Sequence, residues 1–340
     1  LRSVSPASVL SSIKAPTLLS QGQADSLFPL NESSQTAAAL KKNGVPISMI
    51  WHAAGHDGGA DEKKYLQEQY SRWFDKYLLK QEIDFPLFQF TKTNGSISLQ
   101  DSTAIPKSFT ATRLPFEAEM KQLPLLAQPA AMSYPVGGIP SAISSLPGIG
   151  AAGSLAATVA SSFAGFSPAF VPGQSGFLDS AVLQEPISVT GSSRIKVRVT
   201  STTGDATLFF SLVTKSPSGA ISQPNGIVAP IRLTNIPAEG RDITVTLPAV
   251  ILDAAIGDTV AIGISSTDQG YELPKPSRFY SVSALSPLTF TTSTASAAQS
   301  GSANILWPIG ALLSVILAAI YVRVRRPKIT ATHENSTALV

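Results

Sequence analysis

Asp25, in GQADSLFP, and His56, in AGHDGG, stand 31 residues apart. A carboxylate that orients an imidazole, and an imidazole that takes up a proton, are two of the three groups that activate a serine nucleophile. The residues between them read as loop, helix, strand and loop, which puts both groups just after consecutive strands. The third group is missing: no Gly-x-Ser-x-Gly turn occurs in the 340 residues, and Gly173-Gln174-Ser175-Gly176-Phe177 comes nearest but lacks the last glycine. The chain also opens on Leu1 in what reads as the middle of a domain. The expectation is the C-terminal part of a longer hydrolase that carries the acid and the base.

Each residue also has a plainer reading. Asp25 alone could be a solvated loop carboxylate or a helix cap, and His56 alone a surface histidine in a turn. Gly55, Gly58 and Gly59 flank His56 and let its loop adopt positive φ without steric cost. An imidazole there suits a general base because it titrates near neutrality. His52 reads as structural, Asp57 as a loop residue, and His333 falls in the C-terminal tail. Separated histidines without supporting carboxylates argue against a zinc site. The absence of cysteine excludes disulfides, thiolate metal sites and cysteine nucleophiles. No cofactor is expected. A net charge of +3, scattered along the chain, gives no footprint for nucleic acid.

The elements that must hold the pair form an α/β layer. Residues 17–22 are a short apolar run ending in glycine. A helix follows, with Asn31 as its cap, Lys41 and Lys42 in its last turn and Gly44 just past it. Val45 to Trp51 is the next strand. Residues 62–79 then place Leu66, Tyr70, Trp73, Phe74, Tyr77 and Leu78 on one helical stripe. Strand–helix–strand–helix with short loops implies parallel strands, and residues 1–85 are assigned to an α/β domain.

Residues 86–121 read as a transition, and 122–173, rich in Ala, Pro, Gly and Ser, as a linker or insertion. From 174 to 292 the period becomes two: Ile195-Val197-Val199, Ile243-Val245-Leu247 and Val260-Ile262-Ile264 alternate with polar residues, and turn residues separate them. That pattern predicts an antiparallel β-sandwich resembling a jelly roll. Residues 293–302 form a polar stalk. Residues 303–322 carry no charge, enough to cross about 30 Å of hydrocarbon as a transmembrane helix. Arg323, Arg325, Arg326 and Lys328 follow at once, so the positive-inside bias puts the 323–340 tail in the cytoplasm and residues 1–302 outside the cell membrane.

The stretch APTLLSQGQADSLFPLNESSQTAAALKKNGVPISMIWHAAGHDGG resembles the closing segment of the X-prolyl dipeptidyl-peptidase and cocaine-esterase-type serine hydrolases. SRWFDKYLLKQ is similar to the helix that leaves their catalytic domain, and residues 176–290, with GDTVAIGISSTD late in them, resemble the jelly roll that follows it. The resemblance implies that residues 1–85 are the C-terminal end of an α/β-hydrolase domain, with Asp25 as the triad acid and His56 as the base of a peptidase or esterase acting on a peptide, ester or amide; the charge-free 303–322 segment would anchor it in the membrane. The chain departs from the family in lacking the serine and the oxyanion donors, and in its Ala/Pro/Gly segment and membrane span. The alternative is a non-catalytic surface protein that binds or adheres through its β-sandwich.

Overall fold

The computed structural model describes residues 5–25, 27–56, 58–59, 61–92, 108–134, 170–268, 271, 277–293 and 295–296. The expected span at 303–322, its basic flank, Asp57 and most of the 122–173 segment lie outside them. Among the described residues no helix is long and apolar enough to cross a membrane.

Strand β1 (Thr17–Gly22), helix α1 (Leu30–Lys42) and strand β2 (Ile47–His52) form the first unit. Short strands β3 (Ala54–Gly55) and β4 (Gly58–Gly59), helix α2 (Lys63–Tyr77), β5 (Phe88–Thr91) and β6 (Ser108–Ala111) follow. β1, β2 and β5 are parallel neighbours in that order, with β6 antiparallel at the side of β5. Strand alternation sorts the side chains of β2. Met49 and Trp51 pack with Leu30, Ala37 and Leu40 of α1, whereas Ile50 packs with Tyr65 and Trp73 of α2. The helices therefore cover opposite faces of the sheet.

Two expectations about these helices are corrected. Pro29 is the N-cap of α1, without a side-chain bond. Asn31 lies inside the first turn, and its amide reaches out of the helix to Ser192 Oγ at 2.9 Å and to the Ala249 N–H at 2.6 Å. The buried side of α2 is Tyr65, Gln69 and Trp73, while Phe74 and Leu78 are exposed. The stripe turns because α2 covers a partly polar sheet face: the Tyr65 hydroxyl donates to Gln89 Oε1 at 2.5 Å, and Tyr70 donates to Ser20 Oγ at 2.8 Å.

The rest is antiparallel. It comprises β7 (Glu119–Leu123), β8 (Ala130–Tyr134), β9 (Ser175–Asp179), β10 (Ile187–Gly191), β11 (Arg194–Ser201), β12 (Ala206–Lys215) and β13 (Ile221–Ser222). β14 (Ala229–Leu233), β15 (Arg241–Thr246), β16 (Val250–Ala254), β17 (Thr259–Ser265), β18 (Arg278–Ala284), β19 (Leu288–Thr292) and β20 (Ala295–Ser296) complete it. One sheet runs β7-β19-β11-β18-β8, with β15 also on β11; the other runs β13-β12-β17-β9, with β14 also on β12; β10 and β16 form a separate pair, and β20 pairs with β6 on the sheet of β1, β2 and β5. Their inward residues share one core, including Val197 and Val199 from the first sheet and Leu208, Phe210, Ile262 and Ile264 from the second. Val197, Val245 and Ile262 are fully buried, but Ile243 is only half-buried, because β15 has a single neighbour and its face is incompletely covered.

The sandwich draws on residues upstream of 174. β8 lies inside the Ala/Pro-rich stretch and still alternates, with Ala130, Met132 and Tyr134 buried. β7, across the expected boundary of transition and linker, is an exposed edge on which Leu123 is half-buried against the core, which is why it carries no period. β5 and β6, also in that transition, extend the parallel sheet. The α/β layer and the sandwich then meet on α1: Ala249 and Ile251 join the core made by Leu30, Leu40 and Trp51. Lys41–Glu117 at 2.5 Å and Lys92–Asp253 at 3.2 Å add ion pairs at the rim.

Candidate active site

β1 and β2 run in register, Gly22 opposite His52, so their carboxyl ends finish together. Ligand and catalytic groups collect at this edge in open α/β sheets. The two loops that leave it are tied by their backbones: the Gln23 N–H donates to the His52 carbonyl at 2.8 Å and the Ala24 N–H to the Ala54 carbonyl at 3.3 Å. Glycine is required for the approach. A Cβ on Gly22 would fall 2.3 Å from the Ala54 oxygen, and one on Gly55 would fall 2.1 Å from the Ala24 carbonyl carbon and 2.5 Å from the Asp25 nitrogen. Gly55 thus serves close packing; among the glycines beside His56, positive φ is used at Gly59, at +96°.

This contact sets the residue before His56 against the backbone of Asp25. Asp25 is buried, and its carboxylate is held by its own loop. Oδ1 accepts the Leu27 and Phe28 N–H groups at 3.0 and 2.8 Å, and Oδ2 accepts Gln21 Nε2 at 3.3 Å. Oδ1 takes two short bonds, and among the described residues Oδ2 takes one long bond. His56 is exposed. It follows Gly55 directly, between the paired strands β3 and β4, in which Gly55 faces Gly58.

His52 sits closer to the chemistry than a purely structural reading suggests. Burial pushes its imidazole below the ordinary value of 6.5, and the Asp25 charge pulls it partly back. Its Nδ1 is buried without a hydrogen-bond partner among the described residues. His52, half-buried and held toward the neutral form, thus feels the Asp25 charge, and the exposed His56 sits on the neighbouring glycine turn.

Sequence reasoning missed two residues here. Gln23, 1% exposed, reaches over the end of β2, its Nε2 donating to the Trp51 and Thr91 carbonyls at 3.3 and 2.7 Å. Glu62, 2% exposed, accepts the Ala53 N–H at 2.8 Å on Oε2 and the Thr91 hydroxyl at 2.8 Å on Oε1. Burial raises its carboxyl above the usual range, and the Thr91 and Ala53 bonds oppose the rise. Nothing in ADEKKY distinguishes this glutamate from a solvated acid at a helix start.

Among the described residues no three His, Cys, Asp or Glu side chains gather as a metal site requires. A cavity of about 310 Å³ opens elsewhere, lined by Lys92, Lys121, Ser188, Thr190, Phe290 and Ser293 among others.

Comparison with known proteins agrees with this layout. Residues 1–81 match the model of the prolyl oligopeptidase family, and residues 173–296 match the X-Pro dipeptidyl-peptidase C-terminal non-catalytic domain. No curated protein sequence matches the chain. Among solved structures, an aminopeptidase from a marine sediment Thaumarchaeota archaeon is similar with a TM-score of 0.55 at 12% identity, over 84% of this chain and 57% of that one. A CocE/NonD family hydrolase from Staphylococcus aureus gives 0.52 at 11% identity, over 83% and 55%. An α-amino acid ester hydrolase gives 0.57 at 13% identity, over 85% and 57%. At these identities the structures speak for the fold, and the chain spans little more than half of each. An α/β layer that matches the one family model, followed by a β-sandwich that matches the other, agrees with the resemblance to the X-prolyl dipeptidyl-peptidase and cocaine-esterase-type hydrolases.

Proposed function

We propose that the chain supplies the acid and base of a serine hydrolase, a peptidase or esterase, with Asp25 as acid and His56 as base. The observation that carries this reading is the seating of Gly55 against Ala24 and Asp25. It brings the two loops together at the carboxyl edge of a parallel sheet, in the chain order acid then histidine that α/β-hydrolases use. His56 takes the serine proton as the serine attacks the carbonyl, and returns it to the leaving group. Asp25 fixes the imidazole tautomer and stabilises the imidazolium.

No Gly-x-Ser-x-Gly turn occurs in these 340 residues, so the serine comes from outside them. The test is direct. The reading frame on the 5′ side of the Leu1 codon should encode a Gly-x-Ser-x-Gly turn, and the protein carrying it should label with a fluorophosphonate probe. An extended protein that has no such turn and does not label would end this reading.

The substrate is a peptide, ester or amide, in keeping with the peptidase and esterase names of the similar structures. The charge-free 303–322 segment and the basic run after it support a single-pass anchor, with the hydrolase outside the cell. The polar cavity with Lys92 and Lys121 favours a second reading, binding through the sandwich without catalysis; failure to label would leave it in place.

A further inference from the structure

Glu62 is a buried carboxylate that the mechanism above does not use, yet its two bonds bracket the loop that bears His56. Oε2 takes the N–H of Ala53, the first residue after β2, and Oε1 takes the hydroxyl of Thr91, the last residue of β5. Glu62 itself closes the loop, one residue before α2 begins. One side chain therefore pins the start of the loop to its end, and pins both to a neighbouring strand. The turn between carries the exposed His56 between β3 and β4, which are two residues each. Gln23 braces the same point from the other side, donating to the Thr91 carbonyl at 2.7 Å.

Burying a carboxylate costs free energy, and a solvated loop could end at this helix without one. The groups around Glu62 are few. Tyr65 on α2 feels its charge, Thr91 and Ala53 bond it, and no cation is paired with it among the described residues. A strong two-point acceptor at this place is what fixing a loop requires, since bonds to a charged group are about twice as strong as neutral ones.

We propose that Glu62 is the positioning residue for the base: it clasps the 53–62 loop so that His56 is presented to the Asp25 carboxylate and to the nucleophile. The proposal rests on the reading of His56 as the base, and its consequences divide accordingly. Misplacing a catalytic group by about 1 Å can cost on the order of 10²-fold in rate. In the full-length enzyme, Glu62→Ala should lower kcat by about 10²-fold with KM within about twofold, because the loop moves the base rather than the substrate pocket. Glu62→Gln can still accept from Ala53 through its oxygen and donate to Thr91 Oγ through its nitrogen. It should keep kcat within about threefold of the parent.

The 340-residue chain gives a readout that needs no nucleophile. In Glu62→Ala, hydrogen exchange across residues 53–59 should quicken by more than about tenfold while β11 and β12 amides keep their protection. If Glu62→Ala does not fold, Thr91→Val removes one of the two bonds and should give an intermediate loss of kcat, about tenfold. The proposal is overturned if folded Glu62→Ala keeps parental kcat, if its 53–59 exchange is unchanged, or if Glu62→Gln is as impaired as Glu62→Ala. A full-length His56→Ala enzyme that retains parental turnover would overturn the reading beneath it instead. An inactive His56→Ala enzyme beside a fully active Glu62→Ala enzyme would remove the clasp alone.

Discussion

Gly55 and Ala24 lie so close that a methyl group on Gly55 would come within 2.1 Å of the Ala24 carbonyl carbon. Neither partner is a flexible side chain, so a larger residue must part the two loops. Gly55→Ala should cost about 1–3 kcal/mol of stability, the usual range for overpacking. It should also lower turnover in the full-length enzyme by on the order of 10²-fold, by displacing His56. Chemical denaturation and steady-state kinetics on the same variant measure both. A stable, fully active Gly55→Ala protein would show that the approach does not matter.

Asn31 gives a second prediction, in which two roles make opposite forecasts. A helix cap would tolerate Asn31→Ser, since serine caps equally well. As the bridge from α1 to the sandwich, Asn31 must span to both Ser192 and the Ala249 N–H, which serine is too short to do. Leaving that buried N–H unpaired costs about 1–3 kcal/mol. Asn31→Ser and Asn31→Ala should therefore be equally destabilised in urea titrations; a parental midpoint for Asn31→Ser would restore the cap.

The half-buried His52 and the buried Glu62 at the sheet edge give stability opposite pH dependences. His52 titrates below its ordinary 6.5 in the folded chain, so its contribution is complete above 6.5 and is lost as pH falls from there through the lowered value. Glu62 is raised above its ordinary 4.5, so its contribution is complete below 4.5 and is lost as pH rises through the raised value. His52→Asn should flatten the acid decline in stability below pH 6.5, and Glu62→Gln should steepen it. Melting temperatures from pH 4 to pH 8 test this, and parallel curves for all three proteins would refute it.

Much of this arrangement was legible in the sequence, and for physical reasons. Strand alternation at Ile195, Val197 and Val199 is forced by one buried face, so it survives in the letters. The loops of Asp25 and His56 could be read from turn residues and strand order. What could not be read depends on partners distant in sequence. Asn31 looks like a cap until Ala249, 218 residues away, accounts for its amide. Glu62 looks solvated until Thr91 folds over it. β7 has no period because an edge strand exposed at all but Leu123 needs none. Gly55 was legible as a necessary glycine, but for positive φ rather than for the backbone of Ala24.

The membrane reading makes its own forecast. Protease treatment of intact cells should remove residues 1–290 and leave an epitope on the 323–340 tail protected, because on that reading the charge-free residues 303–322 cross the hydrocarbon. Release of the chain into the soluble fraction by carbonate washing would contradict an anchor at 303–322.

The most direct test of the central claim is the turnover of full-length Asp25 and histidine variants on one chromogenic ester. His56→Ala should abolish activity. Asp25→Asn should lower kcat by up to about 10⁴-fold through the wrong imidazole tautomer. The double variant should be scarcely worse than His56→Ala, since groups that act as one unit are not additive. His52→Ala, beside the same carboxylate, should retain most of the activity. Abolition of turnover by His52→Ala, with His56→Ala unimpaired, would contradict the account and make His52 the partner of Asp25.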